Sequence, residues 1–88
     1  MSQQITLLYF GHLVEMLHRE SEYLFLPHSV KTLGELMAYL ARRGEEWAKV
    51  FAEPKPSMRI TVNKQFAESV DLAIKGGDEI AFVAFTMA

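Results

Sequence analysis

The run Ile5-Thr6-Leu7-Leu8-Tyr9-Phe10 restricts the fold of this chain more than any other, because it is built for a strand and apolar on both faces. Side chains alternate along a strand, so Ile5, Leu7 and Tyr9 fall on one face and Leu8 and Phe10 on the other. A strand of that kind belongs inside a sheet, with cover for both sides. Ile80-Ala81-Phe82-Val83-Ala84-Phe85 has the same character near the other end of the chain. Between them, Thr32-Leu33-Gly34-Glu35 has capping-box form, a hydroxyl at the N-cap and a carboxylate three residues on. Leu33, Leu36, Met37 and Leu40 then recur at helical spacing as one apolar stripe. Arg42 and Arg43 are expected in the last turn of this helix, with Gly44 as its stop.

Shorter signals fill the intervals. Leu13, Met16 and Leu17 predict a helix of about two turns, and Glu22-Tyr23-Leu24-Phe25-Leu26 a second strand ended by Pro27. Trp47, Val50 and Phe51 predict a brief helical patch, followed by a proline-stiffened loop at Glu53-Pro54-Lys55-Pro56-Ser57. Met58-Arg59-Ile60-Thr61-Val62 alternates as a strand, and Asn63-Lys64-Gln65 suits a tight turn into Phe66. Ile74-Lys75-Gly76-Gly77-Asp78-Glu79 is a further turn signal. Together these predict an α+β fold, with a mixed sheet of four to five strands and one main helix across one face. At 88 residues the chain is expected to form a single domain over 1–88.

Composition narrows the function. The formal charge of −2 and the absence of a basic patch interleaved with aromatics argue against nucleic acid as a partner. No apolar run is long enough to span a bilayer, and Met1-Ser2-Gln3-Gln4 is too polar to open a signal peptide, so a cytoplasmic protein is expected. There is no cysteine to serve as nucleophile or ligand. His12, His18 and His28 lack ligand spacing and read as isolated surface residues, so no metal is expected. Arg42-Arg43 and Glu45-Glu46 read as a solvated stretch. With no phosphate loop and no nucleophile signature, the chain is not expected to be an enzyme on its own or to bind a cofactor.

Parity along the strands predicts a binding surface. If Ile5, Leu7, Tyr9, Ile80, Phe82 and Ala84 face the main helix, then Leu8, Phe10, Ala81, Val83 and Phe85 share the opposite face, and Phe66 joins them. A bare apolar face marks an interaction site. The alternative is that the short helices after Gly11 and Gly44 cover it.

Several motifs in order carry a resemblance. Tyr9-Phe10-Gly11 leads into Leu13-Val14-Glu15, followed by Leu26-Pro27 and Thr32-Leu33-Gly34-Glu35-Leu36. Trp47, Val62-Asn63-Lys64 and Gly77-Asp78-Glu79-Ile80-Ala81-Phe82 complete the set. In this order and spacing they resemble the small subunit of molybdopterin synthase, the MoaD type of sulfur carrier in the MoaD/ThiS family. The related thiamine-biosynthesis carriers are a weaker match, being usually shorter and without the Trp47 region.

The resemblance implies a ubiquitin-like β-grasp fold and a role in molybdenum cofactor synthesis. In that family an E1-like enzyme uses ATP to adenylate the C-terminal glycine, which then becomes a thiocarboxylate. The tail enters a pocket of the large synthase subunit and gives its sulfur to a pterin precursor. Phe10, Phe66 and Val83 match positions where the small subunit docks on the large one, and Phe85 adjoins them. The family's terminal Gly-Gly falls here on Met87-Ala88, so Ala88 is the expected sulfur-carrying residue. Val14 stands where the family often has Arg, and Ala84-Phe85 where it often has two prolines. Glycine's value at such a terminus is geometric, which makes Met87 the larger obstacle in a narrow channel, although its side chain is pliable. Three readings of this end stay open: an ordinary frayed terminus, an interaction module that carries no sulfur, and a working carrier with an unusual tail.

Overall fold

The computed structural model describes residues 3–52 and 58–84. The two-sided apolar run forms β1 (Gln4–Gly11), followed by α1 (His12–Leu17) and β2 (Ser21–Phe25). Next come α2 (Leu33–Ala41), α3 (Glu45–Phe51), β3 (Met58–Val62), the two-residue β4 (Gln65–Phe66) and β5 (Glu79–Ala84). The strands make one five-stranded sheet in the order β2-β1-β5-β3-β4. Only β1 and β5 run parallel; β1–β2, β3–β5 and β3–β4 are antiparallel. This is the mixed α+β sheet that the sequence predicts.

All three described helices lie on one face. Ile5, Leu7 and Tyr9 of β1, Ile80, Phe82 and Ala84 of β5, and Met58 and Val62 of β3 are buried there. Leu33, Leu36, Met37 and Leu40 of α2 meet them, joined by Leu13 and Leu17 of α1 and Val50 and Phe51 of α3. Each fully buried side chain of this size contributes about 1.5–3 kcal/mol of transfer free energy. The Phe51 ring meets Phe82 edge-on at 4.9 Å, so α3 packs on the same side as α2.

The start of α2 satisfies its own exposed amides. Thr32 Oγ1 accepts from Glu35 N at 3.2 Å, while Glu35 Oε1 accepts from Lys31 N and Thr32 N. Leu33 N and Gly34 N donate to Leu72 O and Val70 O, which ties the loop before β5 to the helix. At its far end the helix departs from expectation. It stops at Ala41 with Arg42 as C-cap, and Gly44 instead sits extended as the N-cap of α3, its carbonyl accepting from Ala48 N.

Arg43 is not the solvated charge that the sequence suggests. Its guanidinium makes a two-pronged contact with Glu22, 2.7 Å and 3.0 Å, and lies 4.6 Å from the Trp47 ring centre. Arg19 reaches the same carboxylate at 3.3 Å, and the Tyr9 hydroxyl donates to it at 2.8 Å. Burial pushes the Glu22 carboxyl up, but the hydrogen bonds from Arg43 and Tyr9 and the two cations outweigh it and hold it below the usual range. Burial, together with the bond to Glu22, drives the Tyr9 phenol well above its usual range. Asp78 is a second such carboxylate: burial raises it, while Asn63 and Lys75 donate to it and bring it below normal. Asn63 and Lys64 both take positive φ, 53° and 70°, and form the tight two-residue turn between β3 and β4.

Two stability measurements follow from these contacts. Thr32→Ala removes the hydroxyl of the capping box and should lower unfolding free energy by about 1 kcal/mol, read from the urea midpoint at constant slope. Glu22 and Asp78 titrate lower in the folded chain than unfolded. Their stabilisation is therefore full at neutral pH and declines once pH drops below about 4.3, through their lowered folded values. The urea midpoint should fall along that acid limb, and Glu22→Gln should flatten it. An acid limb of unchanged steepness in Glu22→Gln would remove Glu22 as its cause.

Candidate functional site: an open sheet face beside the chain exit

The face of the sheet away from the helices is built by the strand registers. Phe10 lies beside Val83, and Val83 beside Arg59, at one end of the sheet. The next row runs Ser21, Leu8, Ala81, Thr61, Phe66 from edge to edge. Phe10 is 46% exposed and Phe66 73%; Leu8 and Val83 are half-buried, and Ala81, small and central, is buried. The described α1 and α3 pack against the other face, through Leu13, Leu17, Val50 and Phe51, so neither covers this one. Phe10, Val83 and Phe66 therefore share one open apolar face, as strand parity predicts. Phe85 lies outside the described residues, and so do Met87 and Ala88.

The same rows set where the chain leaves the sheet. β5 runs parallel to β1, so Ala84 comes to rest beside Gly11, next to the Phe10–Val83–Arg59 row. Gly11 takes φ +70, and a Cβ there would collide with the Ala84 carbonyl oxygen. Glycine is thus required at this point by both backbone conformation and close approach. The described part of β5 thus ends at the rim of the open face.

Three residues of this face, Tyr23, Phe25 and Arg59, escape a local reading of the sequence. Tyr23 and Phe25, 73% and 72% exposed, lie on it too, opposite Thr6 and Gln4 of β1. Their signal is the alternation of Glu22, Leu24 and Leu26 with Tyr23 and Phe25. Arg59 adds a cation to the Phe10–Val83 row. His12 opens α1, His18 is its C-cap and His28 follows β2; all three are exposed, and His12 stands 3.9 Å from Glu15. Among the described residues no set of His, Asp and Glu is arranged to hold a metal ion, and no described helix is long and apolar enough to cross a membrane.

Comparison with known proteins agrees with this geometry. The HVO 2177 protein of Haloferax volcanii superposes with a TM-score of 0.78 at 18% identity, over 96% of this chain and 84% of that one. A complex of subunits 1 and 2 of molybdopterin-converting factor from Helicobacter pylori contains a chain that matches with a TM-score of 0.63 at 18% identity, covering 92% of each. Small archaeal modifier protein 1 of H. volcanii matches with a TM-score of 0.68 at 17% identity, over 97% of this chain and all of the other. At these identities the likeness fixes the fold and leaves the individual role open. No curated protein matches by sequence. The model of the ThiS family matches residues 7–86, a span that takes in β1 from Leu7 onward, the capped helix and the end of β5 beside Gly11. The chain belongs to the ThiS family and has the ubiquitin-like β-grasp fold of the MoaD/ThiS sulfur carriers.

Proposed function

We propose that this chain is a sulfur carrier acting as the small subunit of a molybdopterin synthase. The observation that carries the reading is the exit of β5 at the rim of a bare apolar face. A partner that covers Phe10, Phe66 and Val83 would receive the residues after Ala84 in the same encounter. The chain supplies no catalytic group in this scheme. It supplies a carboxylate, carried by Ala88 and preceded by Met87, which an E1-like enzyme joins to AMP with release of pyrophosphate from ATP. A sulfur nucleophile then displaces AMP and leaves a thiocarboxylate, whose sulfur passes to a pterin precursor in the large subunit. The scheme calls for no bound cofactor on this chain and sets it in the cytoplasm, where ATP and the pterin precursor are found.

A second reading is favoured by one observation, Met87-Ala88 in place of Gly-Gly: the face docks, but no sulfur is carried. Incubation with the activating enzyme, ATP and a sulfur donor, followed by intact mass measurement, separates the two. A working carrier gains the mass difference of sulfur for one oxygen. Conversion only of the Met87→Gly, Ala88→Gly form would instead identify a docking module. For the face itself, Phe10→Glu should weaken binding to the large subunit by roughly thirtyfold or more, the effect of removing an interface anchor. Its circular dichroism should not change, because Phe10 is nearly half exposed already. Unaltered affinity would take Phe10 out of the interface.

A further inference from the structure

β2 is an outer strand of the sheet, and it is unusually unguarded. Its even residues bond to β1: Tyr9 N donates to Glu20 O, and Leu26 N to Gln3 O, with the Glu22 and Leu24 pairs between them. The backbone groups of Ser21, Tyr23 and Phe25 consequently point outward, and no partner for them is found among the described residues. Natural sheets protect such edges with lysine, proline, a bulge, an inward-pointing charge or a very short strand; the inward charge here, Glu22, is already neutralised by Arg43 and Arg19. The opposite edge, β4, is only two residues long, whereas β2 spans five and has no lysine or proline. Its two outward aromatics, Tyr23 and Phe25, are about as exposed as any large apolar residue described.

We propose that two copies of this chain associate through their β2 edges, antiparallel about a two-fold axis beside Tyr23, into one continuous sheet. The strand is complementary to itself in that register. Ser21 pairs with Phe25 of the second copy, Tyr23 with Tyr23, and Phe25 with Ser21, so every outward N–H meets a carbonyl, giving about six new backbone hydrogen bonds. The large Phe25 ring falls beside the small Ser21, next to the half-buried Leu8. On the helix side Glu22 faces Leu24 of the second copy, so no like charges meet, and Glu22 is already held by Arg43 and Arg19. The axis stands perpendicular to the sheet, which puts both open faces on the same side and gathers four aromatic rings there.

Size sets the strength. Four rings about three-quarters exposed present roughly 500 Å² between them, of which edge pairing covers the flanks, and the edges add a few hundred more. The total stays below the roughly 1,200 Å² of standard stable interfaces. The dimer is therefore weak and reversible, forming in the high-micromolar range. Phe10 and Val83 lie at the end of the sheet where Ala84 leaves, away from Phe25, so both chain exits stay open in the pair.

Sedimentation equilibrium of the whole chain from about 10 µM to about 1 mM tests this. The weight-average mass should climb from one copy toward two, and Tyr23→Lys should hold it at one copy throughout. In the unsubstituted chain, amide exchange at Ser21, Tyr23 and Phe25 should slow as concentration rises, a readout that does not depend on how the variant folds. A single-copy mass up to about 1 mM, or association that persists in Tyr23→Lys, overturns the proposal. So does protection of those three amides that appears only when a different protein is added, which would assign the edge to a partner's strand.

Discussion

Strands β1 and β5 lie side by side and parallel at the centre of the sheet, though they come from opposite ends of the sequence. Parallel neighbours cannot be joined by a tight turn, so this pair closes a loop that holds every other described element. The core face of β1, Ile5, Leu7 and Tyr9, is completed only when Ile80, Phe82 and Ala84 arrive beside it. The entropy lost in closing that loop has to be offset by these core contacts, so the two ends of the chain depend on one another. The same pairing fixes the direction of the exit. Because β5 runs with β1, the chain leaves beside Gly11 and Phe10, at the apolar rim and not at the far end near Gln4.

A chain this short can place its helices on one side of the sheet only. Three helices over one face give a complete core, with Tyr9, Phe51 and Phe82 packed ring to ring and Trp47 capping them under two arginines. The other face keeps Leu8, Phe10, Val83 and Phe66 with no described helix over them, which suits it to a partner in the proposed function. Phe10 and Phe66 would be costly to leave in water without that use. In the proposed scheme Phe10, next to Gly11 and the end of β5, would couple docking to delivery, with Phe66 widening the same face from the β4 edge.

Much of this was legible from short-range pattern alone. The capping box at Thr32 and the stripe from Leu33 to Leu40 need only helical periodicity, and both stand as predicted. The split of Leu8, Phe10 and Val83 from Ile5, Leu7 and Phe82 follows from strand parity, which does not depend on knowing the partner strand. What escaped depends on contacts between distant elements. Arg43 looks like a helix-end cation until β2 brings Glu22 to it, 21 residues away. Gly44 looks like a stop because its role as the start of α3 depends on where Trp47 must go. Tyr23 and Phe25 alternate with Glu22 and Leu24 in the sequence, but which set faces the helices is settled by the pairing of β2 with β1 at Thr6 and Gln4.

The proposed docking and the proposed transfer draw on different physical demands. The face requires apolar area in the right rows, a property written into β1, β4 and β5 and indifferent to the last two residues. Transfer requires a narrow backbone where a partner's walls close around it, which Gly-Gly meets and Met87 does not without a wider channel. A binding constant can therefore stay intact while transfer fails, and affinity for a large subunit would not by itself establish a carrier. The chemistry must be read at the carboxylate, because the scaffold that presents it is equally suited to either outcome.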